Sequence, residues 1–269
     1  MPNTESPEKL VETIVPVDEF IESNDSINDA ATLRCRLKET GYLFFRGVLN
    51  VDGLMQVRRD ILSLCHDHGW LSPTAPLMDG VYSQIPFPDY YQEYMPMYRK
   101  LIRLESFNQY SRSPEIMNLV TSLLGGEILA HPRTISRVTF PKHVAFTTQP
   151  HQDFYYIRGT PETYTAWIPV GDCSRKLGGL ALLENSNRLG FLKHEPAVGA
   201  GGNGIRTAKL GLRWLASDFQ AGDYLLFHSY TIHGALENQT PDRLRISMDF
   251  RYQLASDEVN PKSLIPHLG

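Results

Sequence analysis

Arg243-Leu244-Arg245-Ile246-Ser247-Met248-Asp249-Phe250-Arg251-Tyr252 alternates polar and apolar side chains without a break from Arg243 to Phe250. Successive side chains of a strand point to opposite faces. One face therefore carries Arg243, Arg245, Ser247, Asp249 and Arg251, and the other carries Leu244, Ile246, Met248 and Phe250. Outward from this strand, short β-rich runs recur at 127–131, 134–140, 164–170, 180–183 and 223–228. Turn signals separate them: Gly178-Gly179, Ala221-Gly222 and Pro241-Asp242. Many short strands without alternating βαβ units predict a sandwich or barrel.

The first half reads differently. Helices are expected over 29–40, ending near Gly41, and over 51–68, where Leu54, Val57, Ile61, Leu62 and Leu64 fall near helical spacing. A third helix has Ser113 as N-cap, Pro114 at its first position and Gly125-Gly126 at its stop. Between the first two, 42–45 reads as a short buried strand with Gly47 turning the chain. The expected fold class is mostly β with packed helices, a double-sheet jelly roll. One domain is expected over 1–269: a helical part to about 126, a jelly-roll core over about 127–253, and a tail over 254–269. Two stretches, the Tyr- and Met-rich 82–110 and the glycine-rich loop 187–217, are read as cap elements over a site.

Composition narrows the functional classes. A formal net charge of -4 and scattered Lys and Arg leave no phosphate-tracking basic face, so nucleic acid is not an expected partner. No apolar run approaches the roughly 20 residues needed to cross a bilayer, so no membrane partner is expected. The N-terminus MPNTESPEKL does not read as a signal peptide, and IPHLG is not a peroxisomal address. Three cysteines without metal-type spacing suit a reducing cytoplasm.

The chemistry centres on His151-Gln152-Asp153. On an extended strand, residues two apart share a face with Cα atoms about 6.5–7 Å apart, so imidazole and carboxylate can meet at one ion. Pro150 cannot donate to a ladder, which puts the pair at a strand end or edge. Among nine His and thirty acidic residues, one His-x-Asp is weak evidence. His233, following the turn and apolar run 221–227, supplies a second imidazole. Two His and one carboxylate on one side of an ion form the facial set of non-haem iron oxygenases; zinc favours four-coordination. On the polar strand face, a guanidinium offers a fork for a carboxylate, and Ser247 a hydroxyl beside it.

His151-Gln152-Asp153, Trp167-Ile168-Pro169, Gly178-Gly179-Leu180, Gly222-Asp223, His233-Gly234, Asn238 and Arg245-x-Ser247 through Arg251-Tyr252-Gln253 resemble, in order and spacing, the phytanoyl-CoA dioxygenase family. The opening helix followed by Gly41-Tyr42-Leu43-Phe44-Phe45-Arg46-Gly47 is similar to the family's start. The resemblance implies a cupin-like double-stranded β-helix, Fe(II), and 2-oxoglutarate as cosubstrate. It implies that His151, Asp153 and His233 hold the iron, that Arg245 pairs with the distal carboxylate of 2-oxoglutarate, and that Trp167 packs near it. Arg243 shares the strand face, so the anchoring Arg stays ambiguous. Members often carry Ser where Ala235 stands, and Gly-Ser-His where this chain reads Asn185-Ser186-Asn187. The implied reaction takes a small organic molecule and O2, oxidises an unactivated C–H bond, with hydroxylation the default outcome, and releases succinate and CO2. Desaturation, ring closure and epimerisation stay open; the retained Asp153 argues against halogenation.

Other candidates are weaker. His66-Asp67-His68 lies on a helix, where residues two apart diverge, and reads as a solvated helix end. His228 reads as buried near the site or bonded to a ligand residue. Gly199-x-Gly201-x-x-Gly204 matches a dinucleotide fingerprint formally but lacks a preceding strand, and reads as a loop. Tyr90, Tyr91 and Tyr94 read as cap packing. The rival readings are a cupin-type metalloenzyme without 2-oxoglutarate and a jelly-roll binding protein without catalysis.

Overall fold

The computed structural model describes residues 9–84, 86–143 and 146–267. The expectations about the extreme ends of the chain rest partly on 1–8 and 268–269, outside the described residues. Helix α1 (Ala30–Thr40) starts where the Asp29 carboxylate accepts from the amides of Ala31 and Thr32, and stops at Gly41, whose φ of 86° is left-handed. Strand β1 (Tyr42–Phe45) follows, then α2 (Val51–Asp67), which buries Leu54, Val57, Ile61, Leu62 and Cys65. Helix α5 (Pro114–Leu124) ends at left-handed Gly125 as expected, but Ser113 makes no side-chain cap and its hydroxyl is buried without a partner.

Two antiparallel sheets face each other. The larger runs β1–β9–β4–β11–β2, with β3 also on β11: β2 (Ile128–Ala130), β3 (Ile135–Thr139), β4 (Tyr164–Pro169), β9 (Tyr224–His228) and β11 (Arg245–Leu254). The smaller runs β10–β5–β8: β5 (Leu180–Leu183), β8 (Trp214–Leu215) and β10 (His233–Ala235). Both faces of the larger sheet are covered. Leu43, Phe45, Ala166, Ile168, Leu226 and Phe250 share one core cluster with α2, whereas Phe44, Trp167, Leu225 and Phe227 pack with Leu180 and Leu182 of the smaller sheet. This is the expected jelly roll, with β1 from the helical half closing one edge of its larger sheet.

Strand β11 breaks the apolar rule on one face. Leu244, Ile246, Met248 and Phe250 join the helix-side core, while Arg245, Ser247, Asp249 and Arg251 are buried between the sheets. A buried Leu or Phe contributes about 1.5–3 kcal/mol, so four polar side chains in a row cost stability and call for partners.

Both stretches read as cap elements carry regular structure. The 82–110 stretch is not irregular: a π-helical turn (Tyr90–Tyr94) capped by Asp89 continues into α3 (Met95–Leu101), and α4 (Glu105–Tyr110) follows. Its density of Tyr and Pro hid the helical period. The 187–217 loop holds the small pair β6 (Glu195–Pro196) and β7 (Asn203–Gly204), and its Trp214–Leu215 forms β8, too short to show a period.

Gly178 shows how tightly the smaller sheet's turn is set. Its φ is +93°, and an added Cβ would lie 2.8 Å from the Leu236 carbonyl oxygen and 3.0 Å from the Asn238 nitrogen. Both are backbone atoms and cannot swing aside. Gly178→Ala is expected to cost about 1–3 kcal/mol, and thermal unfolding would show a Tm several degrees lower at about 2–4 °C per kcal/mol.

Candidate metal centre

The segment before α6 (Phe154–Ile157) lies beside β10. The amide of His151 donates to the His233 carbonyl at 2.9 Å, that of His233 to the His151 carbonyl at 3.0 Å, and that of Ala235 to the Thr148 carbonyl at 3.1 Å. His151 and His233 are thus directly opposed, with ring centroids 4.2 Å apart. Each ring is held by the carbonyl two residues back: Nδ1 of His151 lies 2.8 Å from the Gln149 oxygen, and Nδ1 of His233 lies 3.0 Å from the Thr231 oxygen. A carbonyl only accepts, so Nδ1 carries the proton and Nε2 keeps its lone pair. Burial, and next the neighbouring His233, hold His151 well below the ordinary imidazole range. Burial lowers His233 too.

Asp153 completes the set from a different backbone. It is not on an extended strand, as the two-residue spacing suggested; its φ of -61° and ψ of -31° open the helical turn of α6. The chain turns immediately after the His151 bridge and swings the carboxylate toward the rings. Asp153 Oδ1 lies 3.9 Å from His151 Nε2 and 3.8 Å from His233 Nε2. The three ligand atoms lie within 4.8 Å of one another, all buried. Gln152 faces away and ties down the neighbouring loops, donating to the Gly190 and Tyr230 carbonyls at 2.8 Å each and accepting from the Leu192 amide.

The Asp153 carboxylate is held from behind. Arg251 donates from Nε to Oδ2 and from Nη2 to Oδ1, both at 3.1 Å, and the Thr165 hydroxyl donates to Oδ2. Burial acts to raise Asp153, but the Arg251 guanidinium beside it outweighs this and keeps the group ionised. Arg251 was visible on the polar face of its strand without its partner; Thr165 stands opposite it on β4, a pairing with no local signal. Partners of this kind are worth about 10–100-fold in metal affinity. Thr165→Val and Arg251→Met should each weaken divalent-metal binding within that range, as measured by metal titration.

The two arginines left ambiguous by strand alternation part company here. Arg243 is 44% exposed on its side chain and donates to the Asp79 carbonyl at 2.7 Å, outside the barrel. Arg245 is 1% exposed; its Nη1 donates to the Ser247 hydroxyl at 2.6 Å, and its buried Nε has no partner. Arg245, Trp167, Leu180 and Ala235 border one narrow cleft with His151, Asp153 and His233. Trp167 rests on Phe219, ring centroids 4.9 Å apart. A cavity of about 330 Å³ adjoins, sharing Arg137, Thr148, His151, Asp153 and Arg251 with the cleft. Small-molecule sites begin near this size. Tyr90 and Tyr94 from the π-turn and Ala200 and Gly201 from the long loop border it, whereas Tyr91 is exposed.

The residues fit a divalent metal with an open side. Two imidazole nitrogens and one carboxylate are the facial set of non-haem iron, and the unpartnered Nε of Arg245 is a buried donor suited to an anion's oxygen. A larger surface cleft of about 1340 Å³ lies beside α1 and the 161–164 and 228–230 segments, but borders none of the three. His228 faces that cleft, 3.6 Å from Glu162, and bonds to no ligand residue, contrary to one expectation for it. His66 and Asp67 are exposed at the end of α2, as expected.

A model of the phytanoyl-CoA dioxygenase family matches residues 37–247. A 1-deoxypentalenic acid 11-beta-hydroxylase from Streptomyces exfoliatus is 25% identical over 264 residues, covering 93% of this chain and 90% of the relative. Among solved structures, the non-heme alpha ketoglutarate dependent epimerase SnoN from nogalamycin biosynthesis superposes with a TM-score of 0.63 at 19% identity, over 87% of this chain and 86% of that one. A second SnoN structure, in complex with Fe3+, alpha ketoglutarate and nogalamycin RO, has a TM-score of 0.61 at 17% identity, over 87% of each chain.

Proposed function

Because the chain belongs to the phytanoyl-CoA dioxygenase family, we propose that His151, Asp153 and His233 hold its iron and that Arg245 and Ser247 seat the distal carboxylate of 2-oxoglutarate. The enzyme is an Fe(II)- and 2-oxoglutarate-dependent dioxygenase acting with O2 on a small organic molecule. The observation behind the site assignment is the convergence of three buried ligand atoms within 4.8 Å. Bound iron(II) and 2-oxoglutarate supply the oxidising power for an unactivated C–H bond, with succinate and CO2 released. The chain's own residues orient and exclude water. Arg251 and Thr165 fix the Asp153 carboxylate; Trp167 forms an apolar wall beside the Arg245 guanidinium; Tyr90, Tyr94 and Phe146 wall the substrate cavity.

Hydroxylation is the expected outcome, in line with the Streptomyces relative's name. Residues 1–269 work as one unit, since β1 of the helical half completes the larger sheet. The chain acts without nucleic acid or membrane partners: its net charge is -4, and no helix among the described residues is long and apolar enough to cross a membrane. The cytoplasm is the proposed compartment; all three cysteines are free, and burial pushes Cys65 and Cys173 up to about 12. The test is succinate formation by the purified enzyme with Fe(II) and O2, with and without 2-oxoglutarate, across a metabolite panel. Succinate that depends on both, and rises with one panel member, supports the reading. Iron-dependent turnover without succinate overturns it in favour of a cosubstrate-free metalloenzyme, and binding without any turnover favours a non-catalytic module.

A further inference from the structure

The cavity beside the metal centre holds more positive charge than its own carboxylates balance. Arg133, Arg137 and Arg251 border it, and Arg245 stands behind in the inner cleft. Among the described residues, the acidic side chains bordering either space are Asp153 and Asp249. Arg251 is committed to Asp153, and Arg137 reaches Asp249 through Nε at 3.3 Å. The distal carboxylate of 2-oxoglutarate takes Arg245. Arg133 then remains without a counter-charge.

Arg133 stands apart from the paired arginines. Its guanidinium meets a backbone carbonyl, that of Lys262 at 3.3 Å, and no carboxylate among the described residues lies within ion-pair distance. It borders the outer cavity but not the inner cleft, so it is free of the metal centre. Nη1 of Arg251 is buried without a partner on the same cavity. His267, bonded to the Tyr98 hydroxyl at 2.9 Å, registers the field: burial first, then Arg133, Arg137 and Arg251, push it down to about 4. The ring is neutral at ordinary pH, and the guanidiniums alone carry the charge. The facing wall is apolar and aromatic, with Tyr94 and Phe146 in contact at 4.9 Å between ring centroids and Tyr90 against both. An unpaired cation beside other guanidiniums in a half-buried space is unfavourable, and a bound anion offsets it.

We propose that the substrate is an organic acid, its compact apolar skeleton seated against Tyr90, Tyr94 and Phe146 and its carboxylate held by Arg133 and the free arm of Arg137. This names the substrate class for the function proposed above and rests on that reading for the role of Arg245. Because Arg133 stands away from the three ligand residues, the acid group is held at the outer rim and a carbon of the skeleton is presented to the iron. Esters and alcohols of the same skeleton lose the charge-assisted contact.

The test is calorimetric binding, without O2, to the enzyme loaded with Fe(II) and 2-oxoglutarate. The probes are adamantane-1-carboxylate, its methyl ester and 1-adamantanemethanol. The acid should bind at least roughly 10-fold more tightly than either neutral analogue, and the advantage should shrink as salt rises. Arg133→Gln should bring the acid down to the level of the ester, and Arg133→Lys should keep part of the preference. Both variants should bind 2-oxoglutarate as the wild type does. Equal binding of acid and ester, no binding of any probe, or a preference that survives Arg133→Gln overturns the proposal. Failure of the wild-type enzyme to bind 2-oxoglutarate overturns the functional reading and this inference with it, which tells the two failures apart.

Discussion

His233→Ala should reduce both iron binding and 2-oxoglutarate-dependent succinate release to background. Changing a partner of a ligand costs about 10–100-fold in metal affinity, and deleting one of three ligands must cost more. His151→Ala should behave the same way. Asp153→Ala should add a second effect, because Arg251 is 3% exposed and would be left buried without its counter-charge. Removing one member of a buried pair costs about 3–5 kcal/mol, or on the order of 10 °C in Tm. The double variant Asp153→Ala with Arg251→Met should regain much of that stability while staying inactive, since the stranded charge goes with the Arg. Metal titration and thermal unfolding of the four proteins check this. An Asp153→Ala protein that binds iron normally would remove the carboxylate from the ligand set.

Arg245→Met should raise the 2-oxoglutarate concentration needed for half-maximal succinate release on the order of 100-fold or more. Losing one partner of a buried, hydrogen-bonded charge pair costs about 2–5 kcal/mol, and each 1.4 kcal/mol is about tenfold. Arg245→Lys should recover little, because an ammonium cannot reproduce the two-pronged contact. The companion Arg243→Met should be nearly silent, since Arg243 lies outside the barrel on Asp79. Iron affinity should be unchanged in all three. If Arg243→Met, and not Arg245→Met, weakens 2-oxoglutarate binding, the anchor has been misassigned.

Much of the fold was legible because side-chain periodicity is local. The alternation from Arg243 to Phe250 named both faces of β11, and the structure keeps the helix-facing and interior sets apart from Leu244 onward. The Gly at either helix stop marked the ends of α1 and α5 for the same reason. The legible elements failed where a segment is too short or too mixed to show a period: β8 has two residues, and the π-turn at Tyr90–Tyr94 buries Tyr94 alone. Of the candidate site, His151, Asp153 and His233 could be named from spacing and resemblance, but the strand geometry first offered for His151 and Asp153 was wrong. The turn at Asp153, not a shared strand face, brings the carboxylate in.

The sequence by itself determined which residue types were available on which strand face, and its resemblance to a known family named two imidazoles, a carboxylate and an Arg-x-Ser pair as candidates for one site. Tertiary structure alone buried Arg245 at the cleft and left Arg243 outside it, gave Asp153 its partners Arg251 and Thr165, and gathered Arg133, Arg137 and His267 around one cavity. The reason is register. Period along a strand can be read from neighbours in the chain, whereas partners across strands depend on a pairing in which a slip of one residue turns every side chain to the other face.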